Sequence, residues 1–361
     1  MVANNSNSVQ HTGRAPASPL VTLSACLVLL SAGGSLVIRV YFVHGGPHLW
    51  VSTMMQVGGW PLLLPIWASL LLLRDGGGAG ISVHLRSPHR AGFLAVFGAC
   101  FAIACFAYSL GSQSLPLSTS AVLQATQLAF NAIFAFLFAG LRFTPFSVNA
   151  VVLLSMGPAV LGAQARGRNW AGFVECLTSA AVLGLVLPLV QVTMSRGHGR
   201  RSGAAETAPP PPPSFAMVVQ MQVLMGAAAT AVCLVGMAVS KTFQAVPEEA
   251  GEFGLGETGY YLLLVVGAIS WQLSNLGVMA LIVCSSSLLA GIMIALFLPL
   301  SDVLAVIFLH EKMDGLKAIA LVVSLWGFVS YLYGESLEKK MEAGEKEAES
   351  ICSPLIVPCD F

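Results

Sequence analysis

Ten apolar stretches of bilayer-spanning length follow one another along this 361-residue chain. They cover about 20–42, 48–73, 92–112, 117–140, 146–165, 171–194, 215–240, 259–283, 286–309 and 315–334. A helix needs about 20 apolar residues to cross a bilayer core, so each stretch is predicted to be a membrane span. Composition agrees: 56% of residues are hydrophobic and only 9% charged, against roughly 25% charged in soluble domains. So little charge could not cover a water-facing surface. The expectation is an all-α, multi-pass membrane protein. Its net charge of +0 gives no reason to expect nucleic acid.

The segments outside the spans are polar. Residues 1–19 read as a disordered tail, because no charged n-region and cleavage site frame a short apolar core as in a signal peptide. Residues 195–214 carry Arg196, Arg200, Arg201 and five consecutive prolines. Such a run favours extended polyproline II and cannot continue a helix, so it is predicted to be a linker; a ligand for a proline-binding partner is the alternative. Residues 335–361 form a charged C-terminal tail. Of the 17 Lys and Arg residues, eleven fall on the side holding both termini and the linker, and six on the other. That bias predicts both termini in the cytosol, which an even number of spans allows.

A weak internal repeat divides the chain. "STSAVLQATQLAFNAIFAFLFAGLRFTPF" (118–146) resembles "SSSLLAGIMIALFLPLSDVLAVIFLHEKMDGL" (285–316), the second copy being longer around "LPLSD". Two halves of five spans would be inverted relative to each other, an arrangement that places a transporter's substrate between them near the midplane. The predicted organisation is a first five-helix repeat at 20–165, a sixth span at 166–194, the linker at 195–214, and the remaining spans of the second repeat at 215–334.

Enzyme chemistry finds no support. The chain lacks a P-loop, a metal-spaced His/Glu cluster and a nucleophile with an intramembrane His. "RDGGGAGISVH" is glycine-dense but has no lysine–serine pair for a phosphate. Six of the eight cysteines lie in apolar stretches without metal spacing and read as packing residues. No cofactor and no metal are implied.

Several motifs together resemble the plant purine permease family, within the drug/metabolite transporter superfamily. They include "LVIRVYFVHGG", "MQVGGWPLLLP", "AYSLGSQSLPLSTSAVLQATQLAFNAIFAFLF", "FTPFSVNAVVLLS", "MQVLMGAAATAVCLVGM", "WQLSNLGVMALIVCSSSLLAGIMIALFLPLSDVLAVIFLHEK" and "LWGFVSYLYGE", running from the first span to the last. The resemblance implies the drug/metabolite transporter fold, ten helices as two inverted five-helix repeats. It also implies import of purine-type heterocycles such as adenine, cytokinins or related bases, commonly with protons. Facilitative carriage of alkaloids, vitamers or other heterocycles is the alternative, and a channel or non-transporting scaffold is the alternative class. The plasma membrane is the expected location, with the endoplasmic reticulum or vacuole as alternatives.

A flat nitrogen-rich ring is recognised by aromatic faces and by carboxamides, which offer a donor and an acceptor in one plane. The candidate substrate-binding set is Gln56, Gln124, Gln127, Asn131, Trp271, Gln272 and Asn275. Among them Gln56, Gln127, Trp271 and Gln272 are typical of the resembled motifs. Gln124, Gln127 and Asn131 share one helix face at i, i+3 and i+7. The competing reading is that these amides tie helices together, each contributing about 0.6–2 kcal/mol. Trp50 and Tyr108, near span ends, read as interfacial belt residues.

Asp302 is the acid to explain. An ionised carboxylate among apolar residues costs several kcal/mol unless it is neutral, paired or wet. Either it carries the coupled proton, or it caps a helix restarted after Pro299. The family resemblance implies Glu here, so the acid is kept while its reach is shortened. In the sixth span the resemblance implies another Glu where this chain has Gln191, which cannot carry a proton. Glu175, one turn inside a span, is read as facing the interface. No histidine lies at mid-membrane depth.

Overall fold

The computed structural model describes residues 19–30, 33–72, 88–115, 117–139, 170–199 and 215–284, with scattered positions between 145 and 156 and between 287 and 344. Every regular element among the described residues is helical. In order they are α1 (Pro19–Leu30), α2 (Gly33–Val43), α3 (Leu49–Val57), a 3-10 turn (Trp60–Leu63) and α4 (Leu64–Leu72). Then come α5 (Pro88–Ser114), α6 (Leu117–Ala125), α7 (Gln127–Ala139), α8 (Trp170–Gly199), α9 (Phe215–Val239), α10 (Thr242–Glu252) and α11 (Gly256–Cys284).

Five segments are long and apolar enough to cross a bilayer: Val21–Val43, His89–Ser114, Trp170–Thr193, Phe215–Val239 and Gly256–Cys284. They match the first, third, sixth, seventh and eighth expected spans. Leu23, Phe93, Val96, Ile103, Leu262 and Val265 are exposed along them, as side chains facing lipid would be. The spans expected at 146–165, 286–309 and 315–334 lie largely outside the described residues, as do the linker and most of both tails.

Two expected spans are broken helices. The stretch 48–73 stops at Val57, where Gly58 and Gly59 precede Trp60 and Pro61, and Pro61 has no N–H to continue an α-helical ladder. Side chains take up what the break frees: Thr230 Oγ1 donates to the Val57 carbonyl at 3.3 Å and accepts from Trp60 Nε1 at 3.1 Å. Such repair is what lets a membrane helix break inside a bundle. The stretch 117–140 breaks at Thr126, whose hydroxyl and N–H both donate to the Leu123 carbonyl, at 2.6 and 3.1 Å. A new helix starts at Gln127.

Packing centres on α5, α8, α9 and α11, with α3 against α5, α9 and α11, and α1 along α11. The approach of α7 to α8 is close at Gly184: a methyl there would lie 2.9 Å from both the Gln127 carbonyl oxygen and the Asn131 nitrogen. Among the described residues two large apolar cores result, beside a small cluster of Leu115, Leu123 and Cys176. One gathers Leu94 and Phe97 of α5, Val186 and Val190 of α8, Met221 of α9 and Leu281 of α11. The other gathers Ile38 and Tyr41 of α2, Met55 of α3, Cys105 and Tyr108 of α5, Cys233 of α9 and Tyr260 of α11. The second core underlies α10, an element formed from the acidic stretch between the seventh and eighth spans. Its Ala250 and Glu249 turn inward while Glu248 and Glu252 are exposed.

Candidate functional site: a neutral amide-lined cavity

Between the two cores lies a cavity of about 120 Å³. Its polar lining is built from carboxamides: Gln56 of α3, Gln124 of α6, Gln127 of α7, Gln222 of α9 and Asn275 of α11. Trp271, Tyr108 and Phe101 supply aromatic surface, and Val186, Val190, Met225 and Ile282 supply apolar walls. Among the described residues no charged side chain lines it.

The broken helices explain why the amides converge here. Gln56 is the penultimate residue of α3, just before the Gly58–Gly59 break. Gln124 and Gln127 flank the break at Thr126, so both interrupted spans present an amide at the depth where their ladders stop. Backbone irregularity inside a bilayer is tolerated where it is buried in protein or lines a cavity, and discontinuous helices form the midplane sites of many carriers.

The amides differ in how far they are committed. Gln56 Nε2 donates to Ser109 Oγ at 2.9 Å and lies 3.3 and 3.4 Å from the Ser52 and Cys105 carbonyls, tying α3 to α5. Asn275 Nδ2 donates to the Gln56 carbonyl at 3.1 Å. Gln124 Nε2 donates to Ser179 Oγ at 3.4 Å, whereas its Oε1 is buried with no partner among the described residues. Trp271 Nε1 is likewise a buried donor without a partner there, and Tyr108 meets the indole edge-on at 6.3 Å between ring centroids. Both atoms belong to residues that line the cavity, yet each is itself enclosed, Trp271 Nε1 lying against Gly34 of α2.

Of the seven sequence-predicted binding residues, the structure brings five to the cavity: Gln56, Gln124, Gln127, Trp271 and Asn275. Two stand elsewhere. Gln272 is buried against Gly59 of the α3 break, its Nε2 without a partner among the described residues. Asn131 is fully buried and donates Nδ2 to the Ser287 carbonyl at 2.9 Å. The Ser287 N–H donates in turn to Gln191 Oε1 at 3.0 Å, so the position where an acid was expected supplies a neutral acceptor. Tyr108, read as a belt residue, is 3% exposed and lines the cavity. Trp50 stacks on Phe106 at 4.3 Å. Gln222 was overlooked, although the alternation of Gln220 and Gln222 in "VVQMQVLM" placed two amides in an apolar span. Asp302 lies outside the described residues.

Comparison with known proteins gives the family. Residues 19–341 match the family model described as purine nucleobase transmembrane transport. The chain belongs to the purine permease family. It is 37% identical over 351 residues to purine permease 3 of Arabidopsis thaliana, covering 91% of this chain and 97% of that one. Purine permease 2 of the same plant is 34% identical over 349 residues, covering 90% and 94%, and purine permease 21 is 32% identical over 330 residues, covering 88% and 80%. A solved structure described as "Crystal structure of protein" shares the fold with a TM-score of 0.51 at 18% identity, covering 87% of this chain and 95% of that one. As a family member the chain is an integral, multi-pass transporter and not an enzyme.

Proposed function

We propose that this carrier imports purine-type nitrogen heterocycles, adenine, cytokinins or related bases, across the plasma membrane by proton symport. The observation that carries the substrate class is the neutral lining of the cavity. Carboxamides at two helix breaks line it together with Trp271, Tyr108 and Phe101, and no charged side chain among the described residues joins them. A charged solute would leave its charge uncompensated among these groups, which is costly in a desolvated site. An uncharged flat ring loses little on entry and gains both stacking and edge bonds.

Symport is proposed with Asp302 as the acid that takes the proton, following the sequence reading. Facilitative carriage is the second reading, favoured by the absence of an acid from the lining among the described residues. Uptake of labelled adenine by yeast deficient in its own purine uptake tests the substrate class. Saturable uptake, competed by purines and cytokinins but not by charged nucleotides, is expected. Uptake that is non-saturable and indifferent to every purine would defeat the proposal.

A further inference from the structure

Two buried polar groups have no role so far. Under α10, the Glu249 carboxylate holds the Tyr41 hydroxyl and His48 Nδ1, each at 2.5 Å. With both oxygens engaged it offers nothing to a ligand. The other is Gln222 of α9, the lining amide missed by the sequence pattern. It is 6% exposed, lines the cavity and makes no hydrogen bond among the described residues. A carboxamide inside a bilayer span ordinarily bonds a neighbouring helix, and burial without a partner forfeits the hydration it had in water. Such a group points to a ligand.

Helix geometry puts Gln222 on the lining face. Gln222, Met225 and Gly226 stand at i, i+3 and i+4 of α9, and all three border the cavity. Gln220 falls on another face. It is 4% exposed, its Nε2 is enclosed without a partner among the described residues, and it stands off the cavity lining. The other lining amides are mostly committed. Gln56, Gln124 and Asn275 each spend their donor on another helix. Gln127, 5% exposed, shares with Gln222 an uncommitted carboxamide.

Helix α5 shows how far Gln222 lies from the committed amides. A methyl on Gly98 would lie 2.3 Å from the Met225 carbonyl oxygen, whereas Gln56 Nε2 reaches Cys105 and Ser109. Between those levels α5 rises roughly 10–16 Å at 1.5 Å per residue. Gln222 stands a further turn beyond Met225, away from Cys233, which packs in one core with Cys105. Its end of the cavity has apolar walls, Val190 of α8 and Ile282 of α11. Met225 and Met279 line it too, and such unbranched side chains adapt to a guest. The cavity therefore has two ends of different chemistry. Amides tied into the bundle stand toward α10, and an uncommitted amide stands among apolar side chains away from it.

Resting on the carrier reading above, we propose that Gln222 is a specificity-determining residue whose carboxamide pairs with the polar edge of the bound base. The ligand it fits is an uncharged heterocycle with a donor and an acceptor on adjacent edge atoms. The oxygen and NH₂ of one amide meet such a pair in a plane, as glutamine meets the amino group and ring nitrogen of adenine in a nucleic-acid groove. Rotating the amide by half a turn exchanges donor and acceptor, so a carbonyl beside a ring N–H is met as well. Selectivity comes from loss: an analogue lacking one paired atom leaves the buried amide unsatisfied.

Displacement of labelled adenine from the purified full-length protein tests this. The competitors are adenine, unsubstituted purine and the deazaadenines, each analogue lacking one edge atom. Against the wild type, removal of a paired atom is expected to weaken competition about 3- to 10-fold, the scale of one neutral hydrogen bond. Gln222→Met keeps the length of the side chain and removes the amide. In it adenine should weaken by a similar factor, and at least one of those analogues should lose its disadvantage. Gln222→Asn withdraws the amide by one methylene and should give the same selective pattern. Gln220→Met, on the other face, should keep the wild-type ranking. A uniform loss for every competitor makes Gln222 a packing residue and overturns the proposal, as does an unchanged ranking in both Gln222 variants or failure of both to fold. Adenine that does not bind the wild type overturns the purine reading and this proposal with it, whereas adenine that binds with only uniform losses in the variants overturns this proposal alone.

Discussion

The cavity and the α10 end are both buried polar regions, yet they are built on opposite principles. Around the cavity the lining is neutral, and part of its hydrogen-bonding capacity is unspent: Gln124 Oε1 and Trp271 Nε1 have no partner among the described residues. Under α10 the key group is an acid, and both of its oxygens are spent on Tyr41 and His48. A group left unsatisfied is costly to bury unless a ligand completes it, whereas a satisfied ion pair resists separation. The first arrangement suits recognition of an uncharged ring. The second suits holding two segments of the chain together.

The sharpest test of that division is Asp302→Asn. If Asp302 carries the transported proton, accumulation driven by an inward pH gradient disappears, while exchange of internal for external substrate persists. Since Asn caps a helix about as well as Asp, a capping role instead leaves gradient-driven uptake intact, and Asp302→Ala lowers abundance. Trp271→Ala comes next. Base–aromatic stacking is worth about 1–3 kcal/mol, so apparent KM for adenine should rise roughly 5- to 150-fold, since each 1.4 kcal/mol is tenfold. No rise at normal abundance would remove the indole from the site.

Gln127→Ala follows. Among the described residues its carboxamide makes no hydrogen bond to another helix, and losing one bond to a neutral ring costs about 0.5–1.5 kcal/mol, a roughly 2- to 13-fold rise in KM. Gln272→Ala is the control, because Gln272 lies off the cavity against Gly59. Its expected effect is on thermal stability of the purified protein, on the scale of about 0.6–1.7 kcal/mol for a polar helix contact, with KM unchanged. If the two variants exchanged phenotypes, the assignment of lining and packing amides would be reversed. The smallest expected change is in topology: a cysteine at position 205 should stay unlabelled by an impermeant reagent outside intact cells, as the arginine bias predicts.

The spans were legible because length and apolarity are summed over many residues. Trp170–Thr193 and Phe215–Val239 fall within a residue or so of the expected 171–194 and 215–240. The breaks were harder to see. "GGWP" and "QATQ" lie inside otherwise continuous apolar runs, and hydropathy does not report where a backbone ladder stops. Yet those breaks bring Gln56, Gln124 and Gln127 together. The i, i+3, i+7 face grouped Gln124 with Gln127, which both line the cavity, but extended to Asn131, which bonds Ser287 instead. α10 was hidden by its acidity and by Pro247 within it. Its helicity rests on packing of Ala250 and Glu249 that only the tertiary arrangement supplies, and such packing is the main support of short helices.

The break after Val57 has a mechanical consequence. An unbroken helix is a rod, and a displacement at one end is delivered to the other. Here the rod is jointed at Gly58–Gly59, between a half packed beneath the α10 end and a half leading toward the opposite face. The pin of that joint is Thr230, reaching from α9 to Val57 and Trp60. Each half therefore packs with its own set of neighbours on either side of the joint, and not as one continuous rod. Gln56 sits beside the pin, where the two halves meet at the cavity wall.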